Sequence, residues 1–87
     1  MTATGEALQR AANLIREHGW TQDDYVGTNG RLCAWQAIFL ATAPRSMDAA
    51  LQSVHRELLL RGWQHGIIAW NDADGRTVDE VLGLLEG

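Results

Sequence analysis

The sequence predicts an all-α fold, a compact single-domain bundle of four helices with a short extended segment or turn before the last helix. Three observations support this prediction. Apolar residues recur at helical spacing, a Gly-Trp pair follows two of the helical segments, and a Thr-x-x-Glu pattern precedes the last one. The chain has 87 residues, of which 46% are hydrophobic. Such a chain forms one domain, residues 1–87, which excludes Rossmann, barrel and two-domain enzymes.

The first predicted helix begins near Thr4, a candidate N-cap, and ends at Gly19. Its apolar face consists of residues at helical spacing: Leu8, Ala11, Ala12 and Ile15. We expect Gly19 to adopt the left-handed conformation that ends a helix, and Trp20 to fold back onto Ile15. The following segment, up to Gly30, is rich in turn-forming residues and predicts a loop.

The second helix is predicted from about Leu32 to Ala43, ended by Pro44. Its residues are apolar on nearly all sides. This pattern is typical of a buried central helix, so we expect the other three helices to cover it.

The third helix has Ser46 as its expected N-cap and ends at Gly62, the second Gly-Trp stop. Trp63 is expected to contact Leu58 in the last turn. The inward-facing residues of this helix are predicted to be Met47, Ala50, Leu51, Val54 and Leu58.

The chain before the last helix is predicted to be non-helical. Ile67–Trp70 is a short apolar run that favours an extended or turn-like segment, and Asn71–Arg76 follows as a turn with Asp74-Gly75 as its strongest signal. Thr77–Glu80 has the pattern of a capping box. The last helix, Val78–Glu86, is expected to present four residues to the core: Val78, Val81, Leu82 and Leu85.

Composition and charge exclude several function classes. All seven basic residues are Arg, there are eleven acidic residues, and the net charge is −4. The lack of Lys excludes Schiff-base chemistry and a phosphate-binding lysine, and the negative charge disfavours nucleic acid as a partner because that affinity depends on neutralised phosphates. The N-terminus has neither a basic start nor an apolar run. We therefore expect a cytoplasmic protein that does not enter a membrane.

Cys33, the only cysteine, is the best candidate for catalysis. It lies near the predicted start of the second helix, where the helix dipole lowers a thiol pKa, and His18, His55 and His65 are candidate bases. This interpretation makes the protein a small cysteine-dependent enzyme or a thiol regulator. We favour the alternative that Cys33 is a small core residue. These four residues also lack the paired short spacing of a zinc site, so we expect no metal ion and no cofactor.

A DNA-binding regulator is a further alternative, because the second and third helices have the arrangement of a helix-turn-helix. Arg56 and Arg61 lie on the third helix, and Gln52 is the base-reading residue type nearest its start. The first residues of that helix otherwise lack the side chains that read bases. DNA binding is therefore favoured less than the other functions considered.

Trp and Arg are enriched at the energetic centres of protein interfaces. The candidate binding residues are Trp35, on the second helix, and four residues of the turn before the last helix: Trp70, Asn71, Asp72 and Arg76. For Trp70 a structural role, with its ring packed under the loop, competes with the binding role. Together the five candidate residues favour a non-enzymatic protein-interaction module. Such a module docks to a bacterial or host protein, or to a second copy of the chain as a homodimer.

Three segments of the chain resemble one known family. Trp70–Leu85 contains Trp-Asn-Asp followed by Gly-Arg-Thr and Glu-Val-Leu, Ala11–Trp20 forms a helix with a Gly-Trp stop, and Leu32–Ile38 contains a Cys-Ala element. These features are similar to those of a family of small uncharacterised proteins from actinobacteria and their phages. In the Cys-Ala element the family has Trp before the Cys and Gly before the second Ala, where this chain has Leu32 and Gln36. The resemblance implies an intracellular bacterial or phage setting, in the host cytoplasm if a phage encodes the protein, and no known activity.

Overall fold

The computed structural model describes residues 3–22, 30–42 and 44–86. These residues form helices and one isolated parallel bridge, between Trp20 and Leu32, and they contain no strand. The all-helical prediction is therefore confirmed for the part of the chain that the structure describes, but this part forms five helices where four were predicted. They are α1 (Ala3–His18), α2 (Ala34–Ala41), α3 (Pro44–Leu60), α4 (Gly66–Asn71) and α5 (Val78–Glu86).

The additional helix is α4, which includes the Ile67–Trp70 run that was predicted to be extended or turn-like. That prediction was wrong because a short apolar run does not distinguish a strand from a buried helical turn. The helical conformation buries Trp70 and Asn71 and leaves Ile68 exposed. The backbone N–H of Asp72 donates to the Ile68 carbonyl and closes the helix.

Helix α1 packs against α2, α3 and α5 through the small and aliphatic face predicted for it. It ends as expected, since Gly19 has a φ of +91° and its N–H donates to the Ile15 carbonyl at 2.8 Å. Trp20 packs on the core cluster. Thr4 is not the N-cap, because the helix already includes Ala3.

Helix α2 begins at Ala34, two residues later than predicted, because Leu32 pairs with Trp20 in extended backbone. Its central burial was also predicted wrongly. Ile38 is fully buried, but Phe39 and Leu40 are 48% and 53% exposed. The helix packs mainly against α1, while α3 and α4 contact it less extensively. One of its faces therefore belongs to the core and another to the surface.

Helix α3 begins at Pro44, so Ser46 lies inside the first turn and is not the N-cap. Proline is well suited to the first turn because its fixed φ is helical and the amide N–H that it lacks would have no helical partner there. The predicted stop is confirmed, with a φ of +85° at Gly62 and the Trp63 N–H donating to the Leu58 carbonyl at 2.8 Å. The residues that α3 buries fully follow one helical stripe: Ala50, Val54 and Leu58.

Helix α5 starts with the predicted capping box. The Glu80 N–H donates to Thr77 Oγ1 at 3.2 Å, and the Thr77 N–H donates to the Glu80 carboxylate at 3.0 Å. Its buried residues are Val81, Leu84 and Leu85, whereas Val78 is 38% exposed instead of facing the core. Among the described residues, no helix has the length and apolar character needed to cross a bilayer.

Candidate functional site

Four of the five predicted binding residues belong to the supporting structure around the end of α4. Trp70 and Asn71 are 4% and 1% exposed, and Asp72 and Arg76 are half-buried. The ring of Trp70 is thus buried, as expected if this residue has a structural role. Trp35 is also half-buried, but it lines an open groove on the surface.

The side-chain amide of Asn71 joins three parts of the chain. Its oxygen accepts from the Trp20 indole N–H at 2.6 Å and from the Ala34 N–H at 2.9 Å. Its nitrogen donates to the Thr21 carbonyl at 3.0 Å and to the Asp72 carboxylate at 2.9 Å. These four bonds use the amide's full hydrogen-bonding capacity, which is what a buried polar group requires. The C-terminal end of α4 is thereby bound to the N-terminal end of α2.

Gln22 strengthens the same junction, and the sequence provided no signal for its role. Its side-chain nitrogen donates to the Asn71 carbonyl at 3.1 Å and to the Ala73 carbonyl at 2.9 Å. The Asn71 carbonyl lies in the last turn of α4 and the Ala73 carbonyl follows that turn, where helical partners run out.

Arg76 is held between aromatic rings and the cap of α5. Its guanidinium carbon lies 4.1 Å from the ring centre of Trp70 and 5.9 Å from that of Trp63. Its Nε donates to the Trp70 carbonyl at 2.8 Å, and its Nη1 donates to the Glu80 carboxylate at 2.8 Å. The side chain is 16% exposed. Arg76 therefore connects the chain around α4 to α5.

The bonds at both ends of α4 fix its position. At the start, the Trp63 indole N–H donates to the Gly66 carbonyl at 2.9 Å. At the end, the Asn71 amide bonds to Trp20, Thr21 and Ala34. The helix has only six residues, too few to be stable by itself. Its geometry is therefore imposed by the local bond from Trp63 and by the tertiary contacts of Asn71.

Helices α2, α3 and α4 enclose an open apolar groove of about 690 Å³, which we call the docking groove. Trp35 contributes from α2, and its ring stacks on the exposed ring of Phe39 with centres 5.5 Å apart. The remaining lining residues are Leu51, Gln52, His55, Arg56 and Leu59 of α3, and His65, Gly66, Ile67 and Ile68 at α4.

Two adjacent stripes of side chains on helix α3 face the core and the docking groove. The groove stripe, Leu51, His55 and Leu59, has the same four-residue spacing as the buried stripe and lies one position further along. Leu59 is 48% exposed, and Ile68 of α4, which lines the same groove, is 39% exposed. The sequence signal for the groove is this surplus of apolar residues, since a single stripe does not account for Leu59.

The titratable groups that line the docking groove are all of basic type: His55, Arg56 and His65. All three are exposed, and no described residue forms an ion pair with Arg56. No Asp or Glu lines the groove, although the chain has a net charge of −4. The groove is therefore a locally basic strip on an acidic protein.

A second cleft, of about 580 Å³, lies between α1, α3 and α5. Its surface is more polar, and the side chain of Glu86 is bonded there to Gln9 at 2.9 Å and to Arg16. The pKa of the Glu86 carboxyl is lowered, first by its hydrogen bond with Arg16 and then by the bond from Gln9. These groups satisfy one another, and the cleft offers less apolar surface to a partner than the docking groove.

Cys33 is the N-cap of α2 and is 4% exposed. Its sulfur accepts from the Gln36 N–H at 3.3 Å. The pKa of the thiol is raised, chiefly by burial and also by the charge of Asp72, against the opposing effect of the backbone hydrogen bonds. The helix start was expected to lower that pKa, and this expectation was wrong because desolvation disfavours the thiolate. The geometry is that of a structural cap.

The other predicted sites are also located by the described residues. No cluster of three or more His, Cys, Asp or Glu side chains suited to a metal ion is found among them. Of the three residues suggested for DNA reading, Gln52 and Arg56 line the apolar docking groove. The third, Arg61, forms an ion pair of 3.1 Å with Glu57.

A family model described as "Family of unknown function (DUF6197)" matches residues 1–87. The chain belongs to this family. The expected membership in a family of unknown function is thereby confirmed for the whole length of the chain. No curated protein and no solved structure is detectably similar to it. For this DUF6197 protein, function must therefore be argued from the docking groove itself.

Proposed function

We propose that this DUF6197 protein is a small non-enzymatic protein-interaction module that binds its partner in the docking groove. We place it in the cytoplasm of an actinobacterium, or of an infected host where a phage encodes the protein. The sequence resemblance supports that setting, and the groove supports the interaction. A second copy of the chain and another protein are the two kinds of partner to be distinguished.

The exposed apolar walls of the groove carry this proposal. Leu59 of α3 and Ile68 of α4 are 48% and 39% exposed, and Trp35 of α2 lines the same groove. Burying one large apolar side chain contributes about 1.5–3 kcal/mol. An exposed apolar surface flanked by polar groups marks a contact site, and contact with another protein is one of its main uses.

The predicted residues around α4 have a defined place in this proposal. Asn71 and Arg76 fix the C-terminal end of the short helix that carries Ile68, so they position one wall of the groove. Trp35 is the residue of the predicted set that contacts the partner directly. The buried cap position of Cys33 supports a role without thiol chemistry.

Position-specific photo-crosslinking tests the proposal. A photoreactive residue is placed at Ile68 in the groove wall and, as a control, at Gln64, which is exposed and does not line the groove. The crosslinked protein is identified, purified and titrated against three forms of the chain by calorimetry: wild type, Leu59→Asp and Leu60→Asp. The last two introduce the same charge at neighbouring positions of α3, and only Leu59 lines the groove.

We expect one protein crosslinked from position 68 and not from position 64. Its affinity should fall at least about 30-fold in Leu59→Asp, because a charge would be buried in the apolar contact, and by less than about threefold in Leu60→Asp. Circular dichroism verifies that both variants fold. Equal affinities of the two variants would contradict the proposal.

A further inference from the structure

The shape of the docking groove restricts what it can bind. Its walls are helices, and its apolar lining is aliphatic apart from Trp35: Leu51, Leu59, Ile67 and Ile68. Strand addition requires an exposed sheet edge, and the described residues contain no strand. Polyproline segments bind to grooves lined by several aromatic rings. An aliphatic groove between helices suits an amphipathic helix, whose apolar residues recur every three or four positions.

The charge of the groove restricts the occupant further. Arg56 is exposed, and it forms no ion pair with a described residue. His55 and His65 accompany it, and no carboxylate lines the groove. A partner with acidic residues beside its apolar face would complement this strip, whereas a basic partner would meet uncompensated like charge.

A second copy of the chain is a poor occupant for the same reason. A twofold symmetric contact through the groove would bring the basic strip of each copy, with its charged Arg56, against that of the other. A head-to-tail contact, with an acidic surface of one copy in the groove of the next, would leave a free groove and extend into a filament unless it closed a ring.

We propose that the docking groove binds an acidic amphipathic helix from another protein. The apolar residues of that helix contact Leu59, Ile68 and Trp35, and its carboxylates lie beside Arg56. This inference rests on the proposed function and adds the chemical class of the partner. The net charge of the chain, −4, would by itself favour a basic peptide. The inference predicts the opposite preference, for an acidic peptide.

Three synthetic peptides of about 16 residues, long enough to form a helix, serve as probes. The first has Leu at helical spacing and Glu on its polar face. The second has Lys in place of each Glu, and the third is a scrambled form of the first without an apolar face. Fluorescence anisotropy gives their affinities at about 0.15 M salt, where the Debye length is about 8 Å and the local charges dominate.

We expect the Glu peptide to bind about tenfold or more tightly than the Lys peptide, and the scrambled peptide not to saturate. Arg56→Gln should reduce the affinity for the Glu peptide by about fivefold or more. The matched variant Arg61→Gln should leave it unchanged, because Arg61 does not line the groove. Leu59→Asp should abolish binding of the Glu peptide.

Four outcomes would overturn the inference, and they separate it from the proposed function. The Glu and Lys peptides could bind equally well, with both losing affinity in Leu59→Asp. The groove would then still be a docking site, but the inference that its partner is acidic would be rejected. A dimer seen by sedimentation in wild type and lost in Leu59→Asp would make a second copy the occupant. Unaltered affinity in Arg56→Gln would remove the charge contact. Failure of the Glu peptide to bind would reject the inference, while crosslinking from position 68 would still decide the proposed function.

Discussion

The indole N–H of Trp20 donates a hydrogen bond of 2.6 Å to the side-chain oxygen of Asn71. Trp20 follows the end of α1, and Asn71 is the last residue of α4. The same oxygen accepts from Ala34, the first residue of α2. One buried amide thus connects three helices and positions two walls of the docking groove.

Replacement of Asn71 tests this role. Asn71→Ala removes all four side-chain hydrogen bonds and leaves buried donors of Trp20 and Ala34 without partners. We expect the free energy of unfolding to fall by about 2–4 kcal/mol. Urea denaturation measures the loss, with Gln64→Ala as the exposed control, for which a change within about 0.5 kcal/mol is expected. A loss below about 1 kcal/mol in Asn71→Ala would show that the network contributes little.

Arg76 should be a stabilising residue whose planar group matters as much as its charge. Arg76→Ala loses the stacking on Trp70 and two hydrogen bonds, to the Trp70 carbonyl and to Glu80. We expect a destabilisation of about 2–3 kcal/mol. Arg76→Lys should recover less than half of it, because an ammonium group neither stacks nor donates in the same fork. Complete recovery by Lys, measured by urea denaturation, would assign the effect to charge alone.

Cys33 should react only when the chain opens. Burial raises the pKa of its thiol and limits its access to reagents. We expect iodoacetamide to alkylate native Cys33 at least about 100-fold more slowly than the urea-unfolded chain. A Cys33→Ser/Ser53→Cys double variant provides an exposed thiol on α3 as the control, and Ser is itself a favourable N-cap. Rapid alkylation of the native protein would restore the thiol enzyme as a functional interpretation.

Glu80 should make stability depend on acid pH. The bonds from Thr77, and then from Arg76, lower the pKa of its carboxyl below the ordinary value of 4.5. The folded state therefore binds this proton less readily than the unfolded chain does. The corresponding stability is present above about pH 4.5 and is lost as the pH falls through the lowered pKa of the folded state. Glu80→Gln should flatten the melting temperature between pH 5 and about pH 3, measured at low salt. An unchanged slope would contradict the contribution of the capping box.

The local features of the fold were predictable because short stretches of sequence determine them. The stops at Gly19 and Gly62 and the capping box at Thr77–Glu80 depend on backbone conformations that particular residue types favour. The helical state of Ile67–Trp70 was not predictable in this way. It depends on the hydrogen bonds that Asn71 makes with Trp20 and Ala34, which are tertiary contacts.

The candidate site was predictable only in part. Trp35 was identified because Trp is frequent at interfaces, and it does line the docking groove. The other predicted residues were selected for the same side-chain types, yet Trp70 and Asn71 are buried. Leu59 and Ile68 were missed because each belongs to an apolar run that predicts core packing equally well. Only the arrangement of three helices determines which member of a run is left exposed.

If the docking groove is the contact surface of this protein, amide chemical-shift mapping by NMR during titration with the Glu peptide will locate the contact there. We expect shifts concentrated at Trp35, Leu51, Leu59 and Ile68, with α5 residues such as Val81 unchanged, and the loss of all these shifts in Leu59→Asp. Shifts concentrated at the cleft between α1 and α5, or at Asp72 and Arg76, would place the contact elsewhere and refute the proposal.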